Sequence, residues 1–344
     1  MHLVHASDPS FLPLWNRLLS EGKHLDALYG DANGAFYREY SGCQDADDVS
    51  FLVTEREMPI CGLRAFSSRL ENGGIEISYF SLPVFYVEHP RFDKFDMAPV
   101  HRLFREEVDK LLSSLAVEGG SIRYRDGLSG GSLSVLSRFL LDKGGEVNPS
   151  FSQIIDLSLT EEKLHQGLTK AYKWAVNWAK KNMQITVLDR TSILAEHMEQ
   201  FRLLHIEAAG RETRTLESWN LQLEMVLAGE AFCVFSFMNG VLVSAALFPH
   251  SRSHCFYGVS ASRRDLFDKP LSHGVIWAAV LYAKSLGLLS FEMGEQLFPM
   301  APRHNSSQKE LGISFFKRAF GGIPQVFLEV NLRVKSGGKP LLNT

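Results

Sequence analysis

Apolar residues recur at helical spacing over residues 11–21, where Phe11, Leu12, Leu14, Trp15, Leu18 and Leu19 share one side, and this predicts an amphipathic helix. A polar stretch around Asp45-Ala46-Asp47-Asp48 follows. Residues 51–54 and 60–66 are short apolar runs around a turn expected at Glu57-Met58-Pro59, and 75–80 reads as a third strand. The spacing then predicts helices over 100–115 and 131–143, with strands over 121–124 and 151–157.

The second half continues the theme. Residues 160–182 read as one long helix. Ser158 with Glu161 three positions on fits a capping box, whereas Thr160 has Lys163 where a box needs Glu or Gln. Strand 184–188 and helices 194–209 and 216–227 come next. Strands 231–238 and 241–249 flank Asn239-Gly240, the strongest short hairpin signal, and 254–260 is a further strand. A helix over 272–285 and a strand over 288–293 follow. Ser307 and Glu310 form a capping box opening a helix to 320, Gly321-Gly322 stop it, and 325–331 is a last strand. The tail 335–344 is expected to be mobile. Helices interleaved with hairpins predict an α/β protein with mixed sheets, not a strict βαβ alternation.

The length of 344 residues fits two domains of about 150 residues each; the boundaries expected are 1–157 and 158–334. A hydrophobic fraction of 45% excludes disorder. No apolar run reaches the roughly 18 residues of a membrane span. The net charge of −3 is unevenly placed, at −8 over 1–159 and +5 over 160–344. The basic half suits an anionic ligand such as a nucleotide, a phosphate or a tRNA; scattered surface charge is the ordinary alternative. Met1–Pro9 shows no basic region followed by an apolar run, so no secretory signal and a cytosolic setting are expected. Cys43, Cys61, Cys233 and Cys255 form no CxxC pair, which predicts reduced thiols rather than disulfides or a zinc site.

GxGxxG, Walker A and HExxH motifs are absent. What stands out is an ordered set of segments. Phe256-Tyr257-Gly258-Val259-Ser260 is followed by the helix ending at Gly287 and by Phe291-Glu292-Met293-Gly294. The set closes on Phe316-Lys317-Arg318-Ala319-Phe320-Gly321-Gly322. This order resembles the Fem-type branch of the GNAT-like acyltransferases, with its CelD/BioF-like relatives: Tyr-Gly-x-Ser, a helix ending in Gly, Phe/Tyr-Asp-x-Gly, then Phe-Lys-x-x-Phe-Gly-Gly. Tyr172, Lys173, Ala179, Lys180 and Asn182 resemble the start of that family's second domain, and 201–214 its helix and Arg-containing loop. The resemblance covers about 151–331; in 1–150 it rests on element order and Ser81-Leu82-Pro83. It implies two tandem GNAT-like domains passing an acyl or aminoacyl group to an amine.

The resemblance implies a reacting role for Lys317, whose ammonium can stabilise an oxyanion; a solvated lysine is the ordinary alternative. Tyr257 is either a core aromatic or a hydroxyl aimed at the reacting groups. Glu292 stands where relatives carry Asp, so it is either a proton acceptor or a structural partner of Lys317. Glu295, Phe316, Arg211 and Arg214 are candidate substrate contacts, and Arg263 and Arg264 candidate donor-phosphate contacts. His273 is a candidate base at a helix start. The base stays open between a carboxylate, His273 and water. The stretch 263–274 lacks the glycine pair of a pyrophosphate loop. Acyl-CoA is the expected donor, aminoacyl-tRNA the alternative, a sugar, amino-acid or glycan-precursor amine the expected acceptor, and no metal is expected. Lys170, Lys173, Lys180 and Lys181 are read as a solvated face beside buried Trp174, Ala175 and Trp178. A binding scaffold without turnover is the non-enzymatic alternative.

Overall fold

The computed structural model describes residues 1–21, 26–71, 73–89, 97–128, 131–299 and 307–337. The chain forms two compact units: Met1–Lys23, Ser41–Ser150 and Val326–Thr344 make unit 1, and His24–Tyr40 and Phe151–Gln325 make unit 2. The chain begins β1 (His2–His5), α1 (Phe11–Glu21), α2 (Asp31–Tyr40), β2 (Asp47–Asp48), β3 (Phe51–Glu55), β4 (Met58–Arg64), β5 (Phe66–Arg69), β6 (Ile75–Ser78), β7 (Phe85–Glu88), α3 (Met97–Glu118), β8 (Gly120–Asp126), α4 (Val135–Asp142) and β9 (Glu146–Asp156). It continues α5 (Glu161–Gly167), α6 (Lys170–Asn182), β10 (Gln184–Leu188), α7 (Ala195–Ala209), α8 (Leu216–Leu227), β11 (Ala231–Met238), β12 (Val241–Pro249), β13 (His254–Phe256), β14 (Ser260–Ser262), α9 (Leu271–Ser285), β15 (Ser290–Glu295), α10 (Gln308–Arg318) and β16 (Ile323–Val334).

In unit 1, β1, β3, β4 and β7 form an antiparallel sheet in that order. β2, β5, β6 and β8 are joined in a second, with β6 and β8 parallel. α3 lays Val100, Phe104, Val108, Leu112 and Leu115, one helical face, into a core shared with Phe51 and Leu136. β7 and β8 meet at a single parallel bridge, Val84 to Tyr124. From Phe85 onward β7 pairs with β4 instead, so the two parallel strands split.

Unit 2 carries the same device. β10, β11, β12 and β14 form an antiparallel sheet, while β13 runs parallel to β15, which pairs antiparallel with β9. His254–Phe256 pair with β15, and the Tyr257 N–H still reaches the Glu292 carbonyl at 2.9 Å. The Gly258 N–H then turns to Leu247 O at 3.2 Å, and Ser260–Ser262 pair with β12. The expected single strand 254–260 is therefore two pieces with different partners. α9 is apolar nearly all round and accordingly buried, from Leu271 through Val275, Ile276 and Val280 to Ala283.

Local chemistry explains where expectation and structure agree. Asn239 and Gly240 both take positive φ, 52° and 77°, as the two-residue hairpin turn requires. The Ser307–Glu310 capping box is formed in both directions. Elsewhere the structure differs. The 160–182 helix is two helices, α5 and α6, each with a Thr at its N-cap, and the chain between them is extended at Leu168 and Thr169. Thr160, not Ser158, caps α5, accepting the Lys163 N–H; the Ser158 hydroxyl donates to Asp156 instead. The turn between β3 and β4, expected at Glu57-Met58-Pro59, sits at Arg56 and Glu57, both with positive φ, and Met58 and Pro59 already belong to β4. α2 was not expected. Its first N–H groups, Ala32 and Asn33, donate to the Glu230 carboxylate at 3.1 and 2.9 Å, a cap supplied from far along the chain. The part of the expected mobile tail from residue 338 onward lies outside the described residues.

Candidate active site

The last turn of α10 carries Lys317. Its half-buried side chain reaches back to β15, where Nζ donates to the Glu295 carbonyl at 3.3 Å. Gly294 lies directly beneath: a Cβ there would sit 2.9 Å from Nζ, and its φ of +90° already excludes most side chains. The far side of α10 is fixed by Gly321-Gly322. A side chain on Gly322 would overlap the Ile154 carbonyl of β9, and one on Gly321 would come within 3.0 Å of Gly167 O. Gln153 Nε2 also donates to Gly321 O at 2.6 Å. The two glycines thus let the chain after α10 press onto backbone, which holds the lysine over the strand end. Burial pushes the Lys317 ammonium pKa down, and the Glu295 and Glu292 carboxylates pull it part of the way back.

Glu292, on β15, is 3% exposed. Its Oε1 accepts the Ser152 hydroxyl from β9 at 2.6 Å, and its Oε2 meets His254 Nε2 from β13 at 3.0 Å. The other His254 nitrogen, Nδ1, lies 2.7 Å from the Ser290 hydroxyl. A carboxylate buried this deeply needs such partners. With Nε2 donating to Glu292, Nδ1 is left to accept from Ser290. Ser152 and His254 thus reach Glu292 from the two flanking strands, and Lys317 interacts with it through space.

Tyr257 stacks on Phe248 with ring centres 5.8 Å apart, and its hydroxyl donates to Ser260 Oγ at 2.8 Å. Burial pushes its phenol pKa up, so it remains a donor. His273, in the first turn of α9, lies in an aromatic nest: Tyr172 at 4.4 Å, Phe316 at 5.5 Å and Phe320 at 5.8 Å. Burial lowers its pKa to about 4, with the Pro270 carbonyl acting in the opposite direction, and among the described residues Nδ1 is buried without a hydrogen-bond partner. Phe316 joins this nest to the neighbouring Lys317.

The arginines are held elsewhere. Arg263 forms a two-pronged pair with Asp265, at 3.0 and 2.9 Å, and a further pair with Glu207. Arg264 is exposed in a short 3₁₀ turn, and Arg211 is exposed in the loop after α7. Arg214 lies over the Tyr40 ring and donates to His205 Nε2 at 3.0 Å. Among the described residues, no hydrogen bond or ion pair joins these four to Lys317, Tyr257 or Glu292. On α6, Trp174 is 62% exposed rather than buried. The inward face is Ala175, Val176 and Ala179, because Gly274 of α9 packs against Ala179 and leaves no room for large residues.

The structure thus gathers Lys317, Glu292, Glu295 and Tyr257 around the split between β14 and β15, with Phe316 and His273 alongside. Ser152 and His254 were missed: their partner lies 140 and 38 residues away, so no local spacing announces them. The assembled groups offer a cation, a phenolic donor and a neutral imidazole beside a strand end. Those are the elements for stabilising an oxyanion and accepting a proton. Among the described residues, no group of three or more His, Cys, Asp or Glu is placed to hold a metal ion, and no helix is long and apolar enough to cross a membrane.

Two split-strand units in one chain make a tandem GNAT-like fold, and solved structures that include FemX and a tandem GNAT protein share it. The chain is similar to FemX, with a TM-score of 0.69 over 97% of this chain and 98% of that one, at 12% identity. It is also similar to the C-terminal domain of a putative lysylphosphatidylglycerol synthetase from Agrobacterium fabrum, with a TM-score of 0.58, 10% identity, and 92% and 90% of the two chains covered. A tandem GNAT protein from the clavulanic acid biosynthesis pathway matches with a TM-score of 0.54 at 11% identity, over 96% and 98%. At such identities the shared property is the fold. No known protein-family model matches the sequence, and no curated protein does.

Proposed function

We propose that the chain is an N-acyltransferase, moving an acyl or aminoacyl group from an activated ester, an acyl-CoA thioester in the first instance, to a primary amine. The observation that carries this reading is Lys317 Nζ held over Gly294 where β14 and β15 have separated. A strand end released from its parallel neighbour can pair with the amide groups of an extended donor, which sets the carbonyl beside the lysine. The amine nitrogen attacks the acyl carbon, and Lys317 and Tyr257 stabilise the oxyanion. His273, neutral at physiological pH, accepts the amine proton. As the C–S bond breaks, the protonated His273 returns that proton to the sulfur, so the thiol leaves neutral. Glu292 has both oxygens engaged and serves to position rather than to take the proton.

A second reading, an aminoacyl-tRNA donor, is favoured by α6, which exposes Lys170, Trp174, Asn177 and Lys181 along one face. Cations flanking an exposed aromatic suit RNA. A thermal-shift screen against acyl-CoAs, charged tRNA and sugar nucleotides separates the two, since a ligand of the native state raises the melting midpoint. An acyl-CoA hit that supports transfer, lost in Lys317→Ala and reduced in Tyr257→Phe, is the expected result. A steeply salt-dependent tRNA hit favours the second reading. Transfer unchanged in both variants overturns the site.

A further inference from the structure

Gln153 of β9 joins the two places that hold Lys317, the strand beneath its amine and the turn behind its helix. Its backbone pairs across the sheet with Gly294, the residue under Nζ. Its side chain runs to the turn after α10, where Nε2 donates to the Gly321 carbonyl at 2.6 Å. The residue is 1% exposed, and among the described residues its Oε1 is buried without a hydrogen-bond partner. We propose that Gln153 is a positioning residue: it ties the turn that ends the Lys317 helix to the strand position below the amine, and so fixes where Nζ stands over Gly294. The inference rests on the reading of Lys317 as the group at the acyl-transfer point.

As packing alone, an amide here is costly. Ile155, two residues on and on the same strand face, lies in the apolar core with Phe291, Met293 and Phe320. A leucine or methionine would fill such a place and leave no buried acceptor unsatisfied. What the amide adds is the bond to Gly321. Two further contacts hold the same turn: the Thr169 N–H donates to the Ala319 carbonyl at 3.2 Å, and Gly322 lies against the Ile154 carbonyl. Thr169 belongs to the N-cap of α6, and Ile154 pairs with Glu292. Of these three residues, Gln153 is the partner of Gly294. The charged and titratable groups around the amine lie on other residues. Glu295 and Glu292 come from β15. Through Phe316, α9 contributes His273 and α6 contributes Tyr172, both uncharged because burial moves the imidazole down to about 4 and the phenol up to about 12. On α10 itself, the Arg318 guanidinium lies over the Phe315 ring. A substitution at Gln153 therefore acts on Lys317 through position and leaves these groups in place.

The test reads the surroundings of the Lys317 amine and needs no substrate. Competitive acetylation of the whole chain with acetic anhydride across a pH series, followed by mass spectrometry of the Lys317 peptide, gives the midpoint at which this amine becomes nucleophilic. Burial is the largest cause holding that midpoint below the ordinary lysine value, so an amine released toward solvent titrates higher. Gln153→Met fills the same space without a donor, and Gln153→Asn keeps the amide but falls about 1.5 Å short. Both are expected to raise the midpoint by about half a pH unit, while exposed Lys309 at the other end of α10 keeps its own curve. Gln153→Met is also expected to melt no lower than the wild type, since it removes a buried unpaired acceptor. Wild-type Lys317 curves in both variants overturn the inference, as does a shift confined to one of them or shared by Lys309. A clear fall in the melting midpoint of Gln153→Met makes Gln153 a packing residue and overturns it too. If circular dichroism shows Gln153→Asn unfolded, Gln153→Met decides alone. Unshifted curves leave acyl transfer standing, whereas transfer that survives Lys317→Ala overturns the reading of the site whatever the curves show.

Discussion

In unit 1, where β7 parts from β8, Tyr86 and Tyr124 meet across the split; in unit 2, where the chain passes from β13 to β14, Gly294 lies directly under Lys317. Unit 1 sets Tyr86 and Tyr124 edge to face at 6.2 Å and adds two carboxylates from the strand ends. Asp126, 3% exposed, accepts the Ser134 N–H at 2.8 Å and the Ser137 hydroxyl at 2.6 Å. Glu88 lies against the Val135 N–H and the Tyr86 hydroxyl, with burial raising its pKa. The start of α4 is thereby clamped to both strands. Unit 2 presents Gly258, Ser260, Ala261, Ser262 and Gly294 at the same stage of the plan, with Lys317 above. One backbone device is used twice, with two tyrosines meeting across one split and a glycine lying under a lysine at the other. The difference teaches that the split is a backbone device in its own right, and that the proposal of a reactive second unit rests on the Gly294–Lys317 approach beside it.

The sharpest way to break this contrast is to alter one group in each unit. Lys317→Ala is expected to lower the transfer rate by about 100- to 1,000-fold, as loss of an oxyanion donor does. Glu88→Gln should change it by less than about twofold; comparable losses would abolish the distinction. Gly294→Ala comes next. Its Cβ would crowd Nζ at a φ unsuited to alanine, and steady-state kinetics should show a fall of about 10- to 100-fold from the displaced lysine. Asp126→Asn reverses the emphasis. Denaturant unfolding should show a loss of about 1–3 kcal/mol as the buried hydrogen bonds to α4 are disrupted, while transfer per folded molecule is retained.

The smallest effect is a pH dependence in unit 2. His273 titrates near 4 when folded, below its ordinary value of 6.5. The unfolded chain therefore binds more protons between those values. The stability linked to His273 is complete above about pH 6.5 and falls as the pH drops toward 4. His273→Phe should flatten that segment of a melting-temperature profile; an unchanged slope would remove the histidine from the account.

What could be read from the sequence was whatever its neighbours in sequence determine. Asn239-Gly240 encodes its own turn, Ser307 and Glu310 cap their own helix, and Gly321-Gly322 follow Lys317 within five positions. Apolar spacing sufficed for α1 and for most of α3. It failed for α2, whose few apolar positions gain meaning only against α8 and Glu230. It failed at Leu168-Thr169, where Gly167 was the only local mark of a break and helix-forming residues on both sides outweighed it. The candidate site was legible as Lys317, Tyr257 and Glu292. The Ser152 and His254 partners were not, because adjacent strands bring them together from separate parts of the chain.

The cap on α2 has a consequence for synthesis. Ala32 and Asn33 are separated from Glu230 by 198 and 197 residues. At ribosomal speeds of about 5–20 residues per second, α2 emerges roughly 10–40 s before the carboxylate that caps it has been made. The Phe36 face, which the finished chain buries in one cluster with residues from Leu188 to Ala261, gains those partners only as that later stretch is made. The newborn protein therefore carries an N-terminal segment in waiting, exposed to chaperones and proteases until translation passes Glu230.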